Sequence, residues 1–400
     1  MAFSNVTLST VESVIKKVEE RVKSLANPIE GEQYSSVGFV DGSYVMDERR
    51  GVYVLALSAA TILVEGGRME GLLKGSSKPQ VTVLIPKSFG EARASLLMSI
   101  LELLGALDLV NRGVQAVFLD GSYVSELMVP FGHPRDAYEN FTSTFEHKVD
   151  GILDKWGKAV EKASESAPAG EPLSAFSSLL KEVNACACEL YTELVSSSDN
   201  QVSKKEALDF SFVFCESTAF LALLDNFLAA CRNSSVYPYW VAKDAESRYV
   251  VEREGVEGWL NDLTLLDYSW KELDYAYTEL EGKKLHRPKP CAVWEPILGK
   301  LYENWGENRV SYFKLAKVGP VSQMTYPRFA EGGAARTAVA TLLTLADKRG
   351  YPRPLSYVHH IAVLNPELAK LLADELYRRE NNPIVKYMLA PSGRVSAGLR

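Results

Sequence analysis

One short motif occurs twice in the chain, each time directly after an apolar run. The sequence Phe-Val-Asp-Gly-Ser-Tyr-Val covers residues 39–45, and Phe-Leu-Asp-Gly-Ser-Tyr-Val covers residues 118–124. Short apolar runs bounded by glycine are typical of buried strands, so we expect Asp41 and Asp120 at the carboxyl ends of two strands. Asp, Gly and Ser are also the usual residues of a simple turn. Two copies after matched apolar runs nevertheless favour a functional role.

Two carboxylates brought together in one sheet repel each other unless a proton or a cation neutralises them. Carboxylate oxygens are hard ligands, which suit Mg²⁺ or Mn²⁺. The pair formed by Asp41 and Asp120 is therefore a candidate metal site.

A third acid lies in the segment 89–108, where leucines and isoleucine extend around most of a predicted helix. Glu102 stands inside this segment, and a buried carboxylate normally has a cation, a base or a raised pKa. Glu91 lies three turns earlier on the same side, about 16 Å away, so only one of the two can share a metal with the aspartates. We favour Glu102, because Glu91 lies in the first turn, where the helix dipole stabilises an acid and Arg93 can pair with it.

Composition excludes several classes of protein. Of the 400 residues, 46% are hydrophobic and 24% are charged, as in an ordinary globular protein. The cysteines are too few and too irregularly spaced for a disulfide framework, and Cys186 and Cys188 lack the second ligand pair of a zinc site. The first residues lack a signal-peptide core and no uninterrupted apolar run reaches 18 residues, so we expect a cytoplasmic protein without a membrane span.

Charge is distributed unevenly along the chain. The net charge is −7, yet residues 314–400 contain 13 Lys and Arg against 6 Asp and Glu, a balance of +7, which leaves −14 for the rest. A basic segment of this kind can bind phosphate locally, although a solvated helix surface would have the same composition.

The order of the predicted elements divides the chain into three parts. Residues 1–129 contain an N-terminal helix and the first part of an α/β core. Residues 130–205 contain two helical patterns separated by a stretch rich in Ala, Ser, Glu, Pro and Gly, and they are predicted to be a helical insertion. Residues 206–400 contain the remainder of the core and the basic C-terminal segment.

Several elements are predicted in the last part. Strands are expected at Phe212–Phe214, Tyr237–Ala242, Val310–Leu315 and Val321–Tyr326, and a helix is expected from Ser217 to Ala230. Lys243 follows one of these strands, where its ammonium can contact a phosphate; a simple ion pair is the alternative.

A strand, a hairpin, a helix with Glu102 and a strand with Asp120 form the arrangement of an RNase H-like core, a mixed sheet flanked by helices. The chain resembles the NurA nucleases in particular. The resemblance rests on five segments in order: VDGSY at 40–44, LDGSY at 119–123, WVAKD at 240–244, YFKLAK at 312–317 and GYPRPLSYVHH at 350–360. These segments span nearly the whole chain.

The resemblance implies a metal-dependent deoxyribonuclease. Asp41, Glu102 and Asp120 would hold one or two Mn²⁺ or Mg²⁺ ions, while Tyr351 and His359 would complete the site by positioning substrate and assisting proton transfer. Two adjacent histidines cannot both face the same way, so we expect at most one of His359 and His360 to serve the site.

Family membership also implies a homodimer that acts on DNA with a hexameric ATPase of the HerA type. The expected activities are 5′-to-3′ exonuclease on single- and double-stranded DNA and endonuclease on single strands, in the processing of DNA ends for recombination. No G-x-x-x-x-G-K-[ST] sequence is present, so ATP-driven translocation would come from the partner.

Two alternatives remain open from the sequence. An ATP-binding phosphotransferase of the actin and sugar-kinase type would use the two Asp-Gly loops for phosphates and Gly332-Gly333 for adenosine, but Glu102 and the segment 350–360 would then be unexplained. A non-catalytic DNA-end scaffold would retain the fold with a decayed site, but the acids expected of an active site are all present.

Overall fold

Nine strands pair into one sheet in the part of the chain that the computed structural model describes, namely residues 5–74, 77–128, 150–167, 171–197, 203–256, 260–282, 295–330 and 333–393. The strands are β1 (Ser36–Glu48), β2 (Tyr53–Glu65), β3 (Arg68–Lys74), β4 (Gln80–Leu84), β5 (Ala116–Asp120), β6 (Tyr237–Ala242), β7 (Ala276–Glu281), β8 (Asn308–Lys314) and β9 (Ser322–Pro327). Their order is β3-β2-β1-β5-β6-β9-β8-β7, and β4 also pairs with β2.

The pairs β1–β5 and β5–β6 are parallel, whereas the remaining pairs are antiparallel. The predicted α/β class with a mixed sheet is therefore confirmed. Because the two parallel pairs are adjacent, the carboxyl ends of β5 and β6 open at the same edge of the sheet, next to the middle of the longer β1.

The described residues form thirteen helices. These are α1 (Asn5–Lys23), α2 (Gly90–Asn111), α3 (Tyr123–Met128), α4 (Asp150–Ser166), α5 (Pro172–Ser197), α6 (Lys204–Asn233), α7 (Tyr249–Arg253), α8 (Asp262–Ser269), α9 (Glu295–Trp305), α10 (Ala334–Leu345), α11 (Arg353–Ala362), α12 (Leu368–Arg379) and α13 (Pro383–Met388).

Alternation along the strands divides their side chains between two faces of the sheet. Val40 and Leu119 face a large core that they share with α2, α5 and α6. Phe39 and Phe118 face the opposite core, which they share with α10 and α11. A third core lies under β7 and β8, where α1, α7 and α8 pack. The sheet is thus covered by helices on both faces, and any side chain along β1 or β5 belongs to one face or the other.

Helix α6 differs from the sequence prediction. The stretch Phe212–Phe214, expected as a strand, lies inside one 30-residue helix, so that prediction is wrong. Its apolar residues extend around the whole circumference because α6 packs against α2, α4 and α5. Apolar runs in a helix that is buried on all sides lose the helical period that would distinguish them from a strand. The other three predicted strands of this region are confirmed as β6, β8 and β9 to within two residues.

Two helices, α2 and α6, are long and apolar enough to cross a membrane by length and composition alone. Their apolar windows are 72% and 94% buried within the protein, respectively, which is the pattern of core helices.

The predicted helical insertion contains α4 and α5, which pack against each other and against α6. Residues 129–149, 168–170 and 198–202 lie outside the described part of the chain. The division of the chain at residues 129 and 205 stays a prediction.

Candidate active site

The register of β1 and β5 brings the two motif aspartates side by side. Val40 lies opposite Leu119 in the parallel pair, so Asp41 and Asp120 follow at the same level. Both side chains point to the same face as Phe39 and Phe118, since residues two apart on a strand share a face. The predicted carboxylate pair therefore exists, on the face that α11 covers.

The two aspartates end their strands differently. Asp120 is the last residue of β5, and Gly121 turns the chain away with a φ of +117°. Asp41 lies in the middle of β1, which continues to Glu48, so its predicted place at a strand end is wrong. The cause is β2, which pairs with β1 along all 13 of its residues, whereas the parallel pairing with β5 stops at Val40.

His359 comes from helix α11 to join the pair. Its Nδ1 lies 2.7 Å from Oδ2 of Asp41, and the side chain of Asp41 is only 8% exposed. The neighbouring His360 faces elsewhere, with its Nδ1 2.6 Å from the carbonyl oxygen of Ser356. The expectation that at most one of the two histidines serves the site agrees with this geometry, in which His359 lies on helix α11 and packs against strand β1.

Asp41, Asp120 and His359 form a cluster that can hold a metal ion. Each offers one ligand atom, and these atoms lie within 4.8 Å of one another. Two carboxylates and an imidazole are a donor set suited to Mn²⁺, which accepts oxygen and nitrogen ligands. The residues of this chain therefore fit a divalent transition metal or Mg²⁺, with His359 as a ligand that the sequence interpretation had assigned to proton transfer only.

Burial and a neighbouring negative charge dominate the electrostatics of Asp41. Burial and the neighbouring Asp120 carboxylate raise the pKa of Asp41, while the contacts with His359 and the Gly42 N–H oppose the change. The Gly42 N–H donates a 2.8 Å hydrogen bond to Oδ1 of Asp41. A cation bound between the aspartates would relieve their repulsion.

Glu102 approaches this cluster from the other face of the sheet, on helix α2. A Cβ on Gly42 would lie 2.7 Å from Oε1 of Glu102, so the carboxyl group packs directly on that glycine. Burial, then Glu126, Asp41 and Asp120, raise the pKa of Glu102 well above its usual value. Glu102 is thus a neighbour of both aspartates, but it does not belong to the three-residue ligand cluster.

Glu91, the alternative third acid, is exposed and accepts a 2.9 Å hydrogen bond from the Tyr44 hydroxyl. The suggested pairing of Glu91 with Arg93 is wrong. Arg93 instead donates two 2.7 Å hydrogen bonds to the buried carboxylate of Glu216 on α6. Of the two glutamates, Glu102 is the one next to the aspartates.

Glu126 is a site neighbour that the sequence interpretation missed. It lies on α3, and its buried Oε2 has no hydrogen-bond partner within the described part of the chain. Burial raises the pKa of Glu126 to about 7, and its charge is the largest electrostatic influence of another residue on Glu102. The only signal in the sequence is an acid six residues after the second motif aspartate.

Lys243 and Tyr351 complete the surroundings of Asp120. The Lys243 Nζ lies 3.3 Å from Oδ2 of Asp120 and 4.9 Å from the ring centroid of Tyr351. Burial raises the pKa of Tyr351, against the effect of the nearby Lys243. Burial works against the charge of Lys243, but Tyr351 and Asp120 outweigh it, and the pKa of Lys243 is raised. The lysine therefore lies next to the site as a cation.

The mixed sheet, flanked by helices, presents the aspartate pair on β1 and β5, Lys243 after β6 and His359 from α11, which is the arrangement expected of a metal-dependent nuclease of the α/β class. A family model described as the NurA domain matches residues 35–364. The match covers most of the chain, which therefore belongs to the NurA family of nucleases, as the motifs predicted. No functionally curated protein matches the chain in sequence.

Solved structures of NurA proteins have the same fold. The NurA nuclease from Sulfolobus solfataricus is 14% identical over 94% of this chain and 95% of its own, with a TM-score of 0.57. A structure of NurA bound to dAMP and manganese is 16% identical over 95% of this chain and 96% of its own, with a TM-score of 0.66. A structure of NurA with manganese is 15% identical over 94% and 98%, with a TM-score of 0.61.

Proposed function

We propose that this protein is a Mn²⁺- or Mg²⁺-dependent nuclease that hydrolyses DNA phosphodiesters at the cluster of Asp41, Asp120 and His359. The observation that carries the proposal is the convergence of these three ligand groups from two parallel strands and a helix. The relative solved with both dAMP and manganese supports the choice of a deoxynucleotide and of this metal.

Asp41, Asp120 and His359 would hold the ion. When bound, the ion supplies Lewis acidity, which neutralises charge at the phosphate and makes water a better nucleophile at neutral pH. Lys243 would place its ammonium against a phosphate oxygen, consistent with its predicted role in DNA binding. The Tyr351 ring holds that ammonium in position and would line the path of the substrate.

Glu102 would act from behind the aspartates. Packed on Gly42, its carboxyl group would fix the backbone that orients Asp41. The roles of Glu102 as catalytic residue and third metal ligand stay predictions, since it lies outside the cluster of ligand atoms. An imidazole that binds the ion through one nitrogen is a poor proton donor through the other at neutral pH, so the predicted proton transfer by His359 would need the aspartates alone to hold the ion.

The finer activities follow family membership. We propose 5′-to-3′ exonuclease action on single- and double-stranded DNA and endonuclease action on single strands, in the resection of DNA ends for recombinational repair. The protein would act in the cytoplasm as a homodimer with a hexameric ATPase of the HerA type. Size-exclusion chromatography with light scattering, with and without such an ATPase, tests both the homodimer and its complex with the ATPase.

No specific observation favours the two alternatives. Gly332, which the phosphotransferase model needs, lies outside the described part of the chain, and Gly333 caps the start of α10. A scaffold with a decayed site would not be expected to retain three ligand groups in mutual reach.

Cleavage of DNA labelled at the 5′ or the 3′ end tests the proposed function. Single- and double-stranded substrates are incubated with Mn²⁺, Mg²⁺ or EDTA, with wild type, Asp120→Ala and Asp154→Ala. Asp154 is an acid exposed on α4 that pairs with Lys158, so its substitution is the matched control. We expect cutting that needs metal, is lost in Asp120→Ala and persists in Asp154→Ala. Folded wild-type protein that cuts no DNA, alone or with the ATPase, would refute the proposal.

A further inference from the structure

We propose that the ammonium group of Lys243 takes the place of a second metal ion, so that each chain binds one divalent cation. The inference rests on the proposed nuclease function and specifies how its charge requirement is met. Phosphodiester hydrolysis benefits from positive charge on two sides of the phosphate, commonly from two metal ions about 4 Å apart. In this chain a lysine ammonium lies beside one of the candidate ligand carboxylates, that of Asp120.

The strand register directs Lys243 to the ligand cluster. Asp120 lies opposite Val241 in the parallel pair of β5 and β6. Lys243 follows two residues later, so it points to the same face as Val241 and Asp120. Its Nζ reaches Oδ2 of Asp120 at 3.3 Å, and this is the only ion pair that Lys243 makes among the described residues.

An aromatic ring holds the ammonium near this position. The Nζ of Lys243 lies 4.9 Å from the centroid of Tyr351, and a cation over a ring face is attracted by the electron density of the ring. Tyr351 lies on the loop before α11, the helix that carries His359. The same stretch of chain therefore supplies one metal ligand and the ring that positions the lysine.

Among the residues that the structure describes, the ligand groups within reach of one another are those of Asp41, Asp120 and His359. A second ion placed on Asp120 would have to share that carboxylate with the first. The Lys243 ammonium already lies on its Oδ2, and a divalent cation brought there would be repelled by it. Glu102 and Glu126 both lie outside this cluster, and the charge of Glu126 acts on Glu102.

A lysine in this role differs from a lysine that only binds DNA. A fixed cation beside the reacting phosphate stabilises the charge that develops in the transition state, so its loss lowers kcat. A residue that only attracts the DNA backbone would change KM instead. The two cases also differ in the number of metal ions bound.

The test counts bound Mn²⁺ by electron paramagnetic resonance on the full chain without DNA, for wild type, Lys243→Met, Lys243→Arg and Lys158→Met. Lys158 is an exposed lysine on α4 and is the matched control. We expect one Mn²⁺ per chain in wild type, Lys243→Arg and Lys158→Met, and binding of a second ion in Lys243→Met. Two ions in wild type, no ion in wild type, or an unchanged count in Lys243→Met would overturn the inference.

Steady-state cleavage of labelled DNA gives the second readout, at a Mn²⁺ concentration that fills only the first site. Under these conditions we expect kcat to fall by about 10²-fold in Lys243→Met with little change in KM, and to recover in part in Lys243→Arg, which keeps the charge. A change in KM alone would assign Lys243 to DNA binding only and overturn the inference. Wild type that binds one Mn²⁺ but cuts no DNA would instead refute the nuclease function and leave the ion count standing.

Discussion

The carboxyl group of Glu102 occupies the space that a side chain on Gly42 would fill. A Cβ at residue 42 would lie 2.7 Å from Oε1 of Glu102 and 2.8 Å from Cγ of Met98. The glycine of the first motif therefore serves helix packing and not a turn, since residue 42 lies within a continuous strand. Through this contact α2, on one face of the sheet, reaches the aspartates that point to the other face.

Gly42→Ala should reduce nuclease activity by more than the accompanying loss of stability can explain. The added methyl displaces the Glu102 carboxyl, and an error of about 1 Å in a catalytic group can cost about 10²-fold in rate. Gly38→Ala is the matched control, because residue 38 lies on the same strand and face, and its Cβ would meet only the Leu109 side chain, at 2.6 Å. Both variants should lose about 1–3 kcal/mol on urea unfolding from overpacking. Equal activity per folded molecule in the two would contradict this interpretation.

His359→Gln should weaken Mn²⁺ binding by roughly 10–100-fold, because it removes an imidazole from the ligand cluster. His360→Gln is the matched control, because it replaces the adjacent histidine, whose side chain faces Ser356. It should leave the affinity for Mn²⁺ unchanged. Isothermal titration with Mn²⁺ on both variants measures the difference. Equal affinities would place His359 outside the metal site.

Glu126→Gln should change how stability depends on pH. The unfolded carboxyl ionises near 4.5, whereas burial raises the folded pKa to about 7. The stability that the neutral carboxyl contributes is therefore fully present below pH 4.5 and is lost as the pH rises through 7. Glutamine cannot ionise. As the pH rises from 4.5 to 8, the free energy of unfolding of the variant should therefore increase relative to that of wild type by up to about 3 kcal/mol.

Urea unfolding in EDTA at several pH values measures this difference without metal. Glu182→Gln is the control substitution, because Glu182 is an exposed acid on α5. Parallel pH curves for wild type and Glu126→Gln would show that the pKa of Glu126 is the same in the folded and the unfolded protein.

The buried ion pair between Arg93 and Glu216 should be essential for joining α2 to α6. The two side chains are 4% and 1% exposed and share two hydrogen bonds. Arg93→Met leaves an unpaired buried carboxylate and should cost about 3–5 kcal/mol on urea unfolding. The double variant Arg93→Met, Glu216→Met removes both charges and should be more stable than the single one. Additive losses would show that the pair is not coupled.

The sequence was sufficient for those parts of the site that depend on strand order. Two apolar runs ending in aspartate, and a third ending in lysine, became neighbours because adjacent parallel strands bring their carboxyl ends together. Glu102 was recognisable because a carboxyl group in an apolar helix needs a partner.

Other features depend on contacts between distant segments, which leave no local pattern. The position of Asp41 in mid-strand is set by the length of β2, and the burial of Glu126 is set by the helices around α3. The helical state of Phe212–Phe214 is likewise imposed by the helices that surround α6. In each case contacts between distant segments determine the structure, and the local sequence does not contain that information.

The 2.7 Å contact between His359 and Asp41 joins residues 318 positions apart in the chain. During translation, the aspartates and Lys243 leave the ribosome well before His359 has been made. A nascent or prematurely terminated chain therefore has the acids but lacks the imidazole that completes the ligand set.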